Sequence, residues 1–188
     1  MKGRVVLAGV LGGVAMYVWA SVAYMSPLGM IGFKDLPNEA TAVAALQTAV
    51  REAGGLYIFP SQGGAADKAA YAEKLKTTPQ GVLVYKPAGT PMMTPGQLIV
   101  ELVLELVEAV LAAWLLSQTA LSAFWSRVRF VTAIGVVVAI TTNGSYWNWY
   151  GYPVDYTLAN IFMQVVGFFV AGLVIAFMTR NKETVAAA

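Results

Sequence analysis

The stretch TLANIFMQVVGFFVAGLVIAFM, residues 157–178, contains no charged side chain. A helix rises about 1.5 Å per residue, so a helix of this length crosses the roughly 30 Å hydrocarbon layer of a bilayer. An apolar run this long is not expected for a core helix of a soluble protein. The segment therefore predicts a membrane-spanning helix.

The composition of the whole chain agrees with this prediction. Of its 188 residues, 58% are hydrophobic and 12% are charged, whereas soluble domains are usually about 45–50% apolar and about 25% charged. A net charge of +2, without a basic stripe interleaved with aromatic residues, gives no support for nucleic-acid binding. The sequence has no Cys and no His, which removes the thiolate nucleophile, the commonest general base and the commonest metal ligand. We therefore predict no cofactor, no metal and no catalytic residues.

Three further segments approach the length of a membrane span: residues 5–24, a span within residues 97–125, and residues 130–143. The first could instead be a signal peptide cleaved near Ser21-Val22-Ala23. Its apolar run exceeds the usual 7–15 residues of such peptides, which favours an uncleaved anchor.

Basic residues near the ends of these segments predict the orientation. If both termini are cytoplasmic, one side of the membrane receives Lys2, Arg4, Arg127, Arg129, Arg180 and Lys182. The short loop expected at residues 143–156 would lie on the other side, and it contains no Lys or Arg. The positive-inside rule thus predicts an inner-membrane protein with both termini cytoplasmic and residues 26–96 extracytoplasmic.

Residues 26–96 differ from the rest of the chain, because they contain all but one of its eight prolines. The pattern predicts a helix from Pro37-Asn38, a strand at 56–59, a helix at 67–76 and a strand at 82–85. A strand, a crossover helix and a second strand normally form a parallel pair. Two short strands give a small core, so we expect this domain to depend on the membrane, the spans or another chain.

The predicted fold is therefore an all-α four-helix membrane bundle with a small extracytoplasmic α/β domain, in the order αβαβ, inserted between the first and second spans. The corresponding ranges are residues 1–25, 26–96 and 97–188. The strings AVAALQTAVREAGGLYIFP (42–60) and GVLVYKPAGTPMM (81–93), set between one anchor and three further spans, resemble small bacterial four-span inner-membrane proteins. That resemblance implies the same architecture and no particular activity.

The second span carries an unusual stripe of carboxylates in QLIVELVLELVEAVLAAW, residues 97–114. At 100° per residue, Glu101, Glu105 and Glu108 lie within one narrow arc of a helix. Ionisable residues within spans indicate proton or ion pathways, and a buried member should be protonated or hold a cation. If the span begins at Gln97, the stripe descends to the middle of the membrane. If one helix continues to Trp125, only Glu108 is shallowly buried, and the stripe could instead pack against the outer domain or a partner.

Other polar and aromatic residues suggest weaker hypotheses. Asn160 and Gln164 share a face of the last span and could add oxygen ligands for a hard cation, although an interhelical hydrogen bond is the simpler interpretation. An aromatic belt at the outer membrane surface, or a stacking platform, is predicted from a cluster of six residues: Tyr146, Trp147, Trp149, Tyr150, Tyr152 and Tyr156.

Small residues predict close helix packing, because Gly9 and Gly13 form a GxxxG motif and Gly167 and Ala171 repeat its spacing. They are compatible with a bundle or with a homo-oligomer. The first functional hypothesis is a non-enzymatic accessory or interaction module in the bilayer, with a protein partner or a second copy bound through the outer domain or these helix faces. The second is a cation- or proton-handling transporter or channel that uses the glutamate stripe. Carboxylate-only enzyme chemistry with Glu101 and Asp155 is a third and less favoured hypothesis.

Overall fold

The computed structural model describes residues 3–51, 53–61 and 68–179, and it is mostly helical. Lys2, Asp67, Arg180 and Lys182, which were used in the predictions above, lie outside the described residues. The elements in chain order are α1 (Gly3–Met25), a 3₁₀ turn (Pro27–Met30), α2 (Glu39–Val50), β1 (Gly55–Phe59), α3 (Lys68–Thr77), β2 (Gly81–Tyr85), α4 (Pro95–Ser117), α5 (Phe124–Ala139), a π-helical turn (Ile140–Gly144), α6 (Ser145–Tyr150) and α7 (Val154–Met178).

Three helical segments in the described part of the chain are long and apolar enough to cross a membrane. They are Gly3–Met25, Phe124–Tyr150 and Val154–Met178. The structure therefore agrees with a membrane location for the chain on the basis of helix length and composition.

The chain divides into two compact units. The helical unit contains the residues up to Phe33, Met93–Asn148 and those from Tyr152 onward, and the second unit contains Lys34–Met92 and Trp149–Gly151. In the helical unit, α1 packs against α4 and α7, while α5 packs mainly against α7. Nine buried residues form the core of this unit: Met16, Ala109, Ala112, Ala113, Leu116, Val131, Phe168, Ala171 and Ile175.

Four of these core residues are alanines, and glycines occupy the closest helix crossings. A Cβ atom added at Gly9 would lie 2.6 Å from the Cα of Val110, and one added at Gly13 would lie 2.7 Å from the Cα of Leu106. Both distances are shorter than van der Waals contact allows, so α1 and α4 touch backbone to backbone. The GxxxG motif is thus used within the chain, as small residues commonly are between membrane helices.

The third apolar helix is longer than predicted, and the expected loop at 143–156 is wrong. The helix continues from α5 through the π-helical turn into α6 and ends at Tyr150. The polar Asn143 is accommodated because its amide group donates to the carbonyl of Ala139 and to the side chain of Gln164. Gly151, with φ of 69°, then ends the helix, since a left-handed conformation suits glycine.

The fourth long helix, α4, ends earlier than one of the two proposed registers requires. It stops at Ser117 and residues 118–123 are not helical, so the register in which one helix continues to Trp125 is wrong. The hydroxyl groups of Ser117 and Thr119 donate to the carbonyls of Trp114 and Leu116. These local bonds satisfy carbonyls at the helix end and compete with further helix.

The second unit contains the predicted helices and strands, but the parallel pairing is wrong. Strands β1 and β2 are antiparallel, with Leu56 opposite Val84 and Ile58 opposite Val82. A parallel pair requires a crossover helix that covers a sheet face, because parallel sheets are normally buried. The helix between the strands, α3, contains no buried residue, so it does not cover a sheet face as a crossover helix would.

No described residue of Lys34–Met92 is fully buried. One face of the hairpin is aliphatic and open, since Leu56, Ile58 and Val84 are each more than 60% exposed. Isolated two-stranded sheets have little stability of their own in water. The described residues of this region thus form little core, in line with the prediction.

The close crossing of α1 and α4 can be tested with Gly13→Ala. We expect the free energy of unfolding to fall by about 1–3 kcal/mol, because the added methyl group forces two backbones apart. Thermal unfolding of the detergent-solubilised protein measures the loss. Gly3→Ala is the matched control in the same helix, as a Cβ there has no neighbour within 4 Å; equal effects of the two substitutions would contradict the crossing.

The antiparallel register can be tested with a disulfide, because the chain has no native cysteine. In the double variant Leu56→Cys and Val84→Cys, the two residues face each other across the hairpin. The Cα atoms of directly opposite residues in an antiparallel pair are close enough for a disulfide, which needs a Cα separation of about 4.4–6.8 Å. We expect oxidation to close the bridge quantitatively, as measured by thiol titration and gel mobility. The control pair Leu56→Cys and Tyr85→Cys places its side chains on opposite faces and should stay reduced.

Candidate functional site

A cavity of about 120 Å³ lies between α1, α4 and α7 in the helical unit. The three glutamates of α4 line this cavity together with residues of α1 and α7. Its lining residues are Met16, Trp19, Ala20, Tyr24, Glu101, Leu104, Glu105, Glu108, Met163, Gln164 and Gly167.

The amphipathic pattern of α4 places the three glutamates on this wall. Glu101, Glu105 and Glu108 are spaced at i, i+4 and i+7, so they project on the same side of the helix. Another side of α4 is apolar and exposed, as at Val103 and Leu111. The helix begins with a capping box between Thr94 and Gln97, which defines its N-terminal end.

Burial increases along the stripe. Glu101 is exposed, whereas Glu105 and Glu108 are half-buried. The Oε2 atom of Glu105 is buried and has no hydrogen-bond partner. Within the described part of the chain, none of the three glutamates forms an ion pair. A buried carboxylate oxygen without a donor is costly while it is charged, and protonation removes that cost.

The helices facing the stripe contribute hydrogen-bonding side chains. The hydroxyl group of Tyr24 on α1 donates to Oδ1 of Asn160 on α7 over 3.2 Å. The amide of Asn143 donates to Oε1 of Gln164 over 3.1 Å. Trp19 joins the same helices through its indole N–H, which donates to the carbonyl of Met163 at 2.8 Å. The cavity is therefore enclosed by helices that are tied to each other through side-chain hydrogen bonds.

Four of the five predicted pathway residues, the three glutamates and Gln164, line the cavity. Asn160 is not a lining residue but is bonded to Tyr24, which is one. Both amides form interhelical hydrogen bonds, the simpler interpretation given to them above. No group of three or more Asp or Glu side chains in the described residues stands close enough to hold a metal ion.

Four members of the predicted aromatic rim lie in α6, whereas Tyr152 lies in the loop that follows and Tyr156 lies in α7. Tyr146, Tyr152 and Tyr156 form a chain of edge-to-face contacts with ring centroids 5.5 and 5.4 Å apart. Tyr156 also meets Phe33 edge-to-face. The remaining members are exposed: Trp147, Trp149 and Tyr150. A membrane-surface role for these residues stays a prediction.

Sequence reasoning missed the residues that face the stripe from α1. The sequence pattern places Tyr24 and Trp19 in the apolar first span and predicts no polar role for them. Their polar atoms are the signal that could have indicated them, because a phenol or indole inside a span needs a hydrogen-bond partner. Which helix supplies that partner depends on the packing of α1 against α7.

Comparison of the chain with protein-family models, with curated proteins and with solved structures finds no match. The predicted likeness to small bacterial four-span membrane proteins stays a prediction.

The unpaired carboxylate can be tested by the stability of Glu105→Gln. At alkaline pH we expect the free energy of unfolding to rise by about 1 kcal/mol, because the substitution removes a charge that lacks a donor. The gain should shrink as the pH falls, since protonation then neutralises Glu105 itself. Thermal unfolding across a pH series measures this. Glu101→Gln is the matched control at the exposed end of the stripe, and an equal gain there would contradict the argument.

Proposed function

We propose that this protein is a proton transporter of the membrane in which the glutamate stripe of α4 takes up the proton. The observation that carries the proposal is the buried, unpartnered Oε2 atom of Glu105 in a cavity with two further carboxylates. Ionisable groups at this depth in a membrane helix are most often functional, because leaving them charged and unpaired is costly.

The proposal includes α4 as a fourth membrane span. Its 23 residues equal the 23 residues of α1, and its outward face is apolar, as at Val103 and Val107. Only the three glutamates distinguish it from an ordinary span, and they point into the cavity and not outward. Four spans would put both termini on the same side, which the positive-inside rule assigns to the cytoplasm of a bacterial inner membrane, with residues 26–96 on the other side.

In this arrangement the proton would enter from the N-terminal end of α4. At about 1.5 Å per residue, Glu101 lies about 9 Å from the start of the helix and Glu108 about 20 Å. Exposed Glu101 would receive the proton from water, and half-buried Glu105 and Glu108 would hold it near the middle of the membrane.

Within α4, the proposed route has no polar continuation in the two turns that follow Glu108. The next turns of α4 carry Ala109, Ala112 and Leu116, which belong to the apolar core. A proton would therefore not cross this conformation, and release on the other side would require the helices to rearrange. This supports a transporter that moves the proton by a change of conformation, and not an open channel, because a channel needs a continuous polar path.

A second candidate is the non-enzymatic accessory or interaction module. It is favoured by the open aliphatic face of the hairpin, where Leu56, Ile58 and Val84 are exposed. A domain with so little internal core gains stability when another surface covers it. This candidate needs no proton chemistry, which allows one experiment to separate the two.

The decisive experiment is proton flux in proteoliposomes with an enclosed pH-sensitive dye, driven by a potassium diffusion potential. We expect the wild-type protein to acidify the vesicles, and Glu105→Gln and Glu108→Gln to reduce the rate by about ten-fold or more, because Gln cannot carry the proton. Glu101→Gln should have a smaller effect, since water can replace an exposed group.

Glu73→Gln is the matched control, because Glu73 lies on the exposed helix α3 and pairs only locally with Lys76. Its flux should equal that of the wild type. Infrared difference spectroscopy gives a separate measurement: the C=O band of a protonated carboxyl group should be present in the wild type and weakened in Glu105→Gln. If neither a flux nor that band is found under any gradient, the transport proposal is overturned and the accessory module is favoured.

A further inference from the structure

A second cavity, of about 580 Å³, is formed where α1 begins, α4 ends, α5 begins and α7 ends. It is separate from the glutamate cavity, and the two share no lining residue. Its lining residues are Arg4, Val5, Ala113, Trp114, Leu116, Ser117, Gln118, Thr119, Leu121, Arg127 and Thr179. Among the described residues, two cations and several polar groups line it, and no carboxylate does.

The two arginines are brought together by the last residues of α7. Nε of Arg4 donates to the carbonyl of Met178 at 2.7 Å, and Nη1 of Arg127 donates to the carbonyl of Thr179 at 2.9 Å. Nη2 of Arg127 donates to the hydroxyl group of Thr179. These bonds satisfy terminal carbonyls of the helix, where cations are favoured by the helix dipole.

The hydrogen bonds to the end of α7 do not occupy all the N–H donors of Arg127. Its side chain is only 9% exposed, and its Nε–H group is buried without any hydrogen-bond partner. A guanidinium group has five donors in a planar fork that matches a phosphate or carboxylate group. A buried charge whose donors are not all satisfied is costly, and an anion in the adjoining cavity would compensate that charge.

We propose that this cavity binds a phosphate-bearing anion, with Arg127 as the main ligand, Arg4 as the second cation and Gln118 as a neutral donor at the rim. A phosphate group accepts from several N–H donors at once and neutralises two neighbouring guanidinium groups. The cavity is large enough for a phospholipid headgroup as well as for free phosphate. Basic pockets between the ends of membrane helices suit anionic headgroups in particular.

The test uses the full-length protein in detergent, with dioleoyl phosphatidylglycerol, dioleoyl phosphatidylcholine or inorganic phosphate added at matched ionic strength. Thermal unfolding reports stabilisation, and native mass spectrometry counts bound lipid. We expect phosphatidylglycerol to stabilise the wild type and to remain bound, and phosphatidylcholine to do neither. Arg127→Gln should weaken this binding by about ten-fold or more, the loss expected for a charge-assisted hydrogen bond.

Arg129→Gln is the matched control. It removes the same charge from the same helix, but Arg129 bonds to Ser126 and Trp125 of its own helix and does not line the cavity. Because Arg127→Gln also loses contacts to Thr179 and could fold poorly, Arg4→Gln at an exposed position provides a second variant. Arg127→Lys keeps the charge but loses the fork, so its binding should lie between those of the wild type and Arg127→Gln.

The two sources of phosphate give different results. Protection by inorganic phosphate alone would identify free phosphate, whereas protection by phosphatidylglycerol without competition from phosphate would identify a lipid headgroup. Both results support the anion site. It is overturned if neither compound stabilises the wild type, or if Arg129→Gln weakens binding as much as Arg127→Gln and Arg4→Gln do.

Discussion

The contact between α1 and α4 at Gly9 and Gly13 is the constraint on which the helical unit depends. At these glycines the two helices touch through their backbones, with distances to a hypothetical Cβ of 2.6 and 2.7 Å. Helices that approach so closely leave little space for side chains or water between them. The backbone carbonyl of Glu105 forms part of this crossing, and the side chain of the same residue has one oxygen buried.

Helix α7 joins the remaining parts of the unit, since it packs against both α1 and α5. Polar side chains secure it at three levels, through Trp19 to Met163, Asn143 to Gln164, and Arg127 to Thr179. Each such bond between membrane helices contributes about 0.6 kcal/mol on average. They also bring polar groups to both cavities, one in each half of the unit, with the alanine-rich core between them.

This distribution explains how an apolar chain can contain two polar sites. The outward faces are apolar, as at Val18 on α1 and Phe177 on α7, and they suit a lipid environment that provides no hydrogen bonds. Polar atoms are directed inward, where other helices supply partners. The two atoms that lack a partner among the described residues, Oε2 of Glu105 and Nε of Arg127, belong to residues that each line a cavity. One is acidic and one basic, which suits them to a proton and to an anion, respectively.

The pattern of residues along the chain was sufficient to locate most helices and strands. Hydropathy and length predicted α1 and α7 almost to their ends, and the spacing of Glu101, Glu105 and Glu108 predicted their common face. Local pattern also located β1 and β2. These features repeat within a few residues of the chain, so a single sequence contains them.

Tertiary structure decided the features that depend on which surfaces meet. Strands β1 and β2 pair antiparallel, and α3 between them has no buried residue. The helix that begins with α5 continues into α6, and Asn143 within it bonds to Gln164 on another helix. Sequence alone determined that three glutamates share one side of α4. Only the packing of α1 and α7 determined that this side borders a cavity, because burial is a property of the contacts between helices and not of any one of them.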